Sequence, residues 1–381
     1  MFWLIFLRKF ISLSHCLNNR FNYMLTRRSF LMQSIGAFGM TIPQFSRAQS
    51  TTLWVPPEDH AHEATCMQWP VDPAVYTDRY HLEQVQKTIA TIANTISAFE
   101  PMIMLADAAF HASARKLLSD QVELWNTPTN DLWCRDSVPI IAFDGTGQRV
   151  LSHIQFNGWG NEQPHNHDAQ IAKRVAAALD FNVIPSGLVE EAGGIETNGT
   201  GTLIAHESSW INDNRNPTLS KDQISKHLLA AYGADQIIWS KGMAGLDITD
   251  YHIDSLARFV APEHVVANLP SRLDTFDPFH NAAVETVATL RDRGVTVDAI
   301  GEPTKTRVRD LDFVAFYVNH YICNGAIIMA EFGDTDNDQR TAAYMRAAYP
   351  NREVIQINVD GLGELVGGIH CATQQLLAQR N

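Results

Sequence analysis

Positive charge is in short supply in this chain: 29 Lys and Arg stand against 42 Asp and Glu, a formal net charge of −13 over 381 residues. That balance excludes electrostatic binding to nucleic acid and suits a cationic small molecule. Residues 1–48 lack the opposite sign, holding Arg8, Lys9, Arg20, Arg27, Arg28 and Arg47 and neither Asp nor Glu. Without those six charges the net value of −13 becomes −19. Long apolar runs are also missing. The run from Ser34 to Ile42 is too short for a bilayer span of about 20 residues, so stable membrane insertion is not expected. Cysteine is sparse, with five residues and no C-x-x-C pair, so no zinc knuckle is implied. Cys66, Cys134, Cys323 and Cys371 are too widely spread for a disulfide framework, and a chain of this length buries a core without one. No low-complexity or Pro/Ser-rich stretch marks a linker after about residue 58, which favours a single domain over residues 49–381.

The N-terminal 48 residues read as an export signal. Thr26-Arg27-Arg28-Ser29-Phe30-Leu31-Met32 is followed by the short apolar run and by Ser46-Arg47-Ala48. Paired arginines, an h-region and a small-x-Ala end are the parts of such a signal, and Arg-Arg-x-Phe-Leu is similar to the twin-arginine type. The mature protein is then expected in the periplasm or outside the cell, with the twin-arginine machinery as partner of the precursor. Phe2–Leu7 is an apolar patch that a signal does not need, and Met24 is an alternative start that brings the arginines close to the N-terminus.

Sequence identity between internal segments is absent, but an order of elements recurs five times. Helical periodicity covers residues 81–99, 166–179, 221–232, 279–293 and 338–348. Each is followed by a short β-branched or apolar run, at residues 102–105, 182–184, 236–239, 295–300 and 354–359. Asn198-Gly199 and Asn324-Gly325 signal hairpins within residues 195–205 and 321–332. The fold class is therefore α/β, built from five helix–strand–loop–hairpin modules. Such modules can close into a ring in which the strand around Ala64–Trp69 completes the last one and no sheet edge stays exposed. An open α/β sheet is the alternative.

The polar loops after the first strand of each module carry the chemistry. In order they are Asn130–Asp136, Glu190–Gly194, Asp247–Asp254, Tyr317–Asn319 and Gly367–Cys371. Taken singly, each has a plain reading. Asn130 and Asp131 suit turns or caps, Asp136 can pair with Arg135, Glu191 can be a solvated charge, and Asn319 can end a strand. Cys371 can be a buried core thiol. His252-x-Asp254 can be a metal pair on a strand, but no further ligands at fitting spacing accompany it. Taken together, a thiol, a histidine and several carboxylates fall in equivalent loops, as one site on a pseudo-symmetry axis requires. That set suits attack on a guanidinium carbon. Carboxylates match the guanidinium fork, the Cys371 thiolate attacks the carbon, and His252 protonates the leaving ammonia and then activates water. Trp133 covers the cation or its alkyl chain. Asp131, Glu191, Asp250 and Asn319 join Trp133 as candidate substrate-binding residues. Gly367-Gly368 is read as a pair allowing a tight bend before the thiol.

These residues resemble the agmatine deiminase and bacterial peptidyl-arginine deiminase family of the guanidine-modifying superfamily, along essentially the whole mature chain. His62-Glu63-Ala64-Thr65-Cys66-Met67-Gln68-Trp69-Pro70, Asn130-Asp131-x-Trp133-x-Arg135-Asp136, Glu191–Gly199 and Asn214-Arg215-Asn216-Pro217 follow the family's pattern. So do Thr249–Phe259, Tyr317-Val318-Asn319, Phe332-Gly333-Asp334 and Ile369-His370-Cys371-x-Thr373-Gln374-Gln375. The resemblance implies a five-bladed α/β-propeller that hydrolyses a guanidinium to a ureido group without a cofactor. It makes Cys371 the nucleophile and His252 the general acid and base, with Asp136 and Asp254 holding the guanidinium. The chain departs from the family at Tyr251 and Ala192, and at Leu365-Val366, where the family has glycine.

Agmatine, giving N-carbamoylputrescine, is the first expected substrate. Arginine residues of peptides are the alternative and suit an exported enzyme. A catalytically silent, cation-binding propeller leaves the thiol and histidine without use. A cysteine peptidase leaves Asp136 and Asp254 unexplained, because an acyl substrate needs an oxyanion hole and no cation clamp. Self-association into a homo-oligomer is compatible with each reading.

Overall fold

Local chemistry sets the helix boundaries. Helix α1 (Arg79–Ile96) starts at Asp78, whose carboxylate accepts the His81 N–H. Helix α2 (Ile171–Leu179) stops at Asp180, which turns left-handed with φ 55°. Helix α3 (Lys221–Tyr232) opens on a capping box between Ser220 and Gln223 and closes on Gly233 at φ 65°. Helix α4 (Pro278–Asp292) has Asp277 accepting from the N–H groups of Phe279 and His280, with proline in its first turn. Helix α5 (Thr335–Ala348) carries Asp336 and Asp338 near its positive end.

In this computed structural model, residues 52–380 are described, apart from 139, 271, 311 and 312, and residues 50–381 form one compact unit. The export signal read in residues 1–48 lies outside the described residues. The fold is mixed α/β, and its strands form five separate small sheets. Four of the sheets share one pattern: an antiparallel pair, a helix, and a third strand parallel to the second. They are β4 (Ile140–Phe143), β5 (Arg149–Gln155) and β6 (Asn182–Val189) around α2, and β7 (Ile195–Thr197), β8 (Thr202–His206) and β9 (Gln236–Ser240) around α3. The next are β10 (Ala257–Ala261), β11 (His264–Leu269) and β12 (Thr296–Gly301) around α4, and β13 (Tyr321–Cys323), β14 (Ala326–Glu331) and β15 (Glu353–Asn358) around α5.

The remaining sheet repeats the pattern with the two ends of the unit. β1 (His62–Gln68) pairs antiparallel with β16 (Gln374–Leu377), Cys66 opposite Gln374, and runs parallel to β2 (Met102–Ala106) across α1. The strand expected to complete the last module therefore does pair with the C-terminal strand. β3 (Val122–Asn126) adds a fourth strand parallel to β2, which the fivefold periodicity gave no reason to expect. Two further differences have local causes. The helix read from residue 166 begins at Ile171, because Asp168 turns inward to accept from the N–H groups of Asn130 (2.8 Å) and Asp131 (2.9 Å). The strand read over 182–184 extends to Val189 through Pro185, which an outer strand tolerates because one side of it has no ladder to serve.

Helices seal the sheets with one apolar face. Val85, Ile89, Ile92 and Ile96 of α1, all with no exposed surface, pack with Met102 and Met104 of β2 and with Ile328 of β14 in the largest core cluster. Full burial of each such side chain stabilises by roughly 1.5–3 kcal/mol. The five polar loops singled out in the sequence lie in the segments between the outer parallel strand of one sheet (β3, β6, β9, β12 or β15) and the first strand of the antiparallel pair that follows it.

Candidate active site

The thiol of Cys371 is half-buried, in the segment between β15 and β16. Gly367 and Gly368 precede it, and neither has a positive φ. The expected tight bend is not why glycine stands there. A Cβ on Gly367 would lie 2.2 Å from the Trp133 ring, and one on Gly368 would lie 2.4 Å from Asn319 Oδ1. Both glycines let the backbone approach groups from other loops. Asn319 then fixes the thiol loop. Its Oδ1 accepts from the N–H groups of His370 (2.9 Å) and Cys371 (3.3 Å), and its Nδ2 lies 3.2 Å from Cys371 Sγ.

His252 sits on carboxylates. Its Nε2 is 3.1 Å from Glu191 Oε2 and 3.9 Å from Glu190 Oε1, and its Nδ1 is 4.0 Å from Asp136 Oδ1. Burial pulls the imidazolium down, but Asp136, Glu191 and Asp254 together outweigh it and raise the pKa to about 10. Glu191 is fully buried and held by the Arg215 guanidinium, whose Nε is 3.0 Å from Glu191 Oε2. The same Nε is 3.0 Å from Glu190 Oε2, and Nη1 is 2.6 Å from Asp250 Oδ2. Gly193 passes close beneath the imidazole, where a Cβ would be 2.6 Å from His252 Nδ1. The glycine that the site requires is thus retained, and the departure at Ala192 falls one residue away from the contact.

Asp136 is free of Arg135. The Arg135 guanidinium instead binds Glu58 (3.1 Å) and Gln375 (2.9 Å). Asp136 Oδ2 accepts from Trp159 Nε1 (3.0 Å) and Oδ1 from the Gly193 N–H (3.2 Å). Burial raises its pKa to about 6; His252 opposes that rise, and Glu191 and Asp254 add to it. Asp254 has no exposed surface, and its Oδ2 is 2.7 Å from His370 Nδ1 and 3.4 Å from Cys371 Sγ. Burial would raise Asp254, but His370, His252 and Arg258 hold it below the usual carboxylate range. Its other oxygen, Oδ1, is buried without a hydrogen-bond partner. His370 continues through Nε2 to Glu58 (2.8 Å), which also receives Arg258 (3.1 Å). For Cys371, burial and then the charges of Asp254 and Asp136 push the thiol well above its ordinary range.

Cys371, His252, Asp136 and Asp254 line one cavity of about 800 Å³, together with Trp133 and Asp131. Asp131 is already engaged there, accepting from the Tyr76 hydroxyl, the Gln163 amide and the Leu132 N–H. Three residues expected to bind substrate do not line the cavity. Glu191 stands behind His252, Asp250 is turned onto Arg215, and Asn319 braces the thiol loop. Their side chains are used up by protein groups. Trp159, His370, Glu58 and Arg215 were not foreseen as part of the site. Gly158-Trp159-Gly160, with Trp159 at φ 53° between two left-handed glycines, was the available signal for the first.

Two departures from the family pattern fall at left-handed positions, Tyr251 at φ 72° and Val366 at φ 63°, where glycine is free of strain. Tyr251 offsets the strain by stacking on His206, with ring centroids 4.7 Å apart. The metal option weighed for His252 and Asp254 does not match the geometry. Glu190, Glu191 and His252 do bring ligand atoms within 4.8 Å of one another. The Arg215 cation already occupies that place, so the donor set does not suit a metal ion. Among the described residues the four cysteines are free thiols.

The chain is similar to known proteins along most of its length. The family model of Porphyromonas-type peptidyl-arginine deiminase matches residues 54–376. A Streptomyces coelicolor protein that carries the provisional name of an agmatine deiminase is 34% identical over 340 residues, covering 85% of this chain and 98% of its own length. A similarly named protein of Selenomonas ruminantium is 29% identical over 368 residues, covering 87% and 98%. Among solved structures, the agmatine deiminase of Enterococcus faecalis superposes with a TM-score of 0.79 at 24% identity, covering 86% of this chain and 97% of that one, which establishes the shared fold. A provisionally named arginine deiminase from Porphyromonas gingivalis superposes with a TM-score of 0.74 at 27% identity, covering 85% and 98%.

Proposed function

This chain belongs to the Porphyromonas-type peptidyl-arginine deiminase family, and on that premise we propose that it hydrolyses agmatine to N-carbamoylputrescine and ammonia through a covalent bond to Cys371. One observation carries the reading: a thiol, an imidazolium and two carboxylates meet at a single cavity. The guanidinium lies between Asp136 and Asp254, whose oxygens accept its N–H groups in bidentate fashion. The unpartnered Asp254 Oδ1 is one such acceptor. The thiol pKa is high in the free protein because of burial and, after it, the repulsion of the two carboxylates that face it. The bound cation cancels that repulsion, so substrate binding itself favours the thiolate. The sulfur then bonds to the central guanidinium carbon. His252, protonated up to about pH 10, gives its proton to the departing nitrogen, and ammonia leaves. The now neutral imidazole takes a proton from water, the hydroxide adds to the thiouronium carbon, and the C–S bond breaks to release the ureido product. Nucleophile, acid and base are all side chains, so the reading calls for no cofactor.

Arginine residues of peptides are the second reading. The cavity of about 800 Å³ favours it, being larger than one small guanidine fills. The proposal extends to architecture: the five like sheets are blades of a closed five-bladed propeller, supported by their shared topology and by the β1–β16 pair. It includes export by the twin-arginine machinery to the periplasm or beyond, supported by Arg27-Arg28-x-Phe30-Leu31, and assembly into a homo-oligomer. The test is to incubate the protein with agmatine, free arginine and an arginyl peptide and to measure ureido product and ammonia. Agmatine should turn over fastest, and Cys371→Ser should abolish turnover. Product from none of the three, with the fold intact, overturns the reading.

A further inference from the structure

Among the described residues, Asp254 Oδ2 accepts from His370 Nδ1 (2.7 Å) and from the Cys371 thiol (3.4 Å), while Oδ1 has no partner. The thiol gives up its proton when the sulfur attacks, so His370 alone then holds this carboxylate in place. His370 is held in turn at its other ring nitrogen. Nε2 is 2.8 Å from Glu58 Oε2, its one partner among the described residues. Burial would raise the Glu58 carboxyl, but Arg258, His370 and Arg135 hold it well below the usual carboxylate range. Asp254 is kept ionised against burial in the same way. Each contact needs one hydrogen and neither carboxylate carries it, so both ring nitrogens donate and the ring is fixed at both ends.

Glu58 reaches this point from outside the sheets. It lies ahead of β1, after Pro56-Pro57, whose rings stiffen the backbone. The segment is laced down by the Trp54 N–H, which donates to Phe143 of β4 (2.9 Å), and by the Val55 N–H, which donates to Tyr232 of α3 (3.0 Å). The Glu58 side chain is 8% exposed, and its Oε2 also meets Arg135 (3.1 Å) and Arg258 of β10 (3.1 Å). Its Oε1 accepts the N–H of Ile322 in β13 (2.9 Å). Groups on or beside four of the five sheets thus fix one carboxylate. Each arginine has a further acceptor, Gln375 (2.9 Å) for Arg135 and Glu196 (3.0 Å) for Arg258, whereas the Nε2 of His370 depends on Glu58. Neither Glu58 nor His370 lines the cavity of Cys371. Both line a separate one of about 40 Å³ that shares no lining residue with it, so their route to the reacting atoms is Asp254. Resting on guanidinium hydrolysis at Cys371, we infer that Glu58 and His370 are positioning residues for that reaction: the segment ahead of β1 aims the Asp254 clamp, through His370, at the guanidinium held against the thiol.

The experiment measures kcat and KM for agmatine in the unmodified protein and in Glu58→Gln, His370→Asn and His370→Leu, each assayed well below its own melting temperature. Glu58→Gln keeps the shape of the side chain and removes its charge. Asp136 still offers its carboxylate to the guanidinium, so KM should rise by less than about fivefold, while kcat should fall by about 10²-fold because the angle of attack is lost. An asparagine at position 370 still offers an N–H close to where Nδ1 stands, and a leucine offers none. His370→Asn should therefore keep a kcat at least about tenfold above that of His370→Leu. A Glu58 that merely stabilises the fold would lower the melting temperature and leave kcat of the folded protein unchanged. A kcat within about threefold of the unmodified value in Glu58→Gln, or equal rates in the two His370 variants, overturns the positioning role while guanidinium hydrolysis stands. The two sites are tested separately so that a folding failure at one leaves the other decisive. An unmodified protein that turns over no guanidine overturns the reading on which the role rests, and the role with it.

Discussion

Replacing Asp136 by Asn should lower the proton affinity of His252 and of Cys371 together while it weakens turnover. Asp136 Oδ1 is 4.0 Å from His252 Nδ1, with both side chains 5% exposed. At that separation a unit charge pair is worth about 4 kcal/mol at an effective dielectric constant near 20. At 1.36 kcal/mol per pKa unit this is a drop of roughly 3, which takes the imidazolium from about 10 to roughly 7. The sign follows from the roles. The acid step needs His252 protonated, so activity is lost as pH rises through its pKa. The clamp needs Asp136 ionised, so activity is lost as pH falls through about 6. The unmodified protein should therefore give a bell-shaped kcat/KM profile with limbs near 6 and 10. In the variant the acid limb assigned to Asp136 disappears and the alkaline limb moves to roughly 7, while the height falls by about 10²-fold or more as charge-assisted contacts to the guanidinium are lost. Because Asp136 also holds the Cys371 thiol up, alkylation of Cys371 by iodoacetamide without substrate should speed up in the same variant. Slower turnover with faster alkylation separates this account from general damage to the fold. An alkaline limb still near 10, or alkylation that is unchanged or slower, refutes it.

Other substitutions probe the surrounding parts. Gly193→Ala places a methyl group 2.6 Å from His252 Nδ1 and 3.0 Å from Asp136 Oδ1, so turnover should fall by about 100-fold through misplacement of the imidazole, whereas Ala192→Gly should leave kinetics near those of the unmodified protein. Arg215→Met leaves Glu190, Glu191 and Asp250 as buried carboxylates without their counter-ion. Denaturant unfolding should show a loss of about 3–5 kcal/mol. Cys66→Ser should retain turnover, since this thiol is fully buried in β1 and burial raises its pKa to about 12. Its cost should appear in stability alone, at about 1–3 kcal/mol.

What could be read from the sequence was whatever is encoded locally. Helix periodicity and the Asn-Gly turns fixed the order of elements, because helical faces and turns are settled within a few residues. The polar loops stood out because each follows a strand end and has no apolar stripe to hide it. β3 stayed unseen because its reason to exist is the edge of β2, and an edge is a tertiary fact. Direction of charge was the harder matter. Glu191, Asp250 and Asn319 have the composition of substrate ligands, yet each is spent on a neighbour from another loop, at sequence separations of 24 to Arg215 for Glu191, 35 to Arg215 for Asp250 and 51 to His370 for Asn319. Nothing local distinguishes a carboxylate that meets substrate from one that meets Arg215. The same holds for His370, which reads as a mere flank of the thiol and in fact joins Asp254 to Glu58 across 116 and 312 positions. That bridge has a consequence for the chemistry. Asp254 is kept ionised by His370 at one oxygen while the other stays unpartnered at the cavity. Asp254 is thus charged before substrate arrives, and burial together with that charge keeps the facing thiol neutral. A free protein in this state should resist adventitious alkylation, and an unreactive guanidine should speed alkylation of Cys371; no change on its binding refutes the idea that the substrate's own charge acts as the switch.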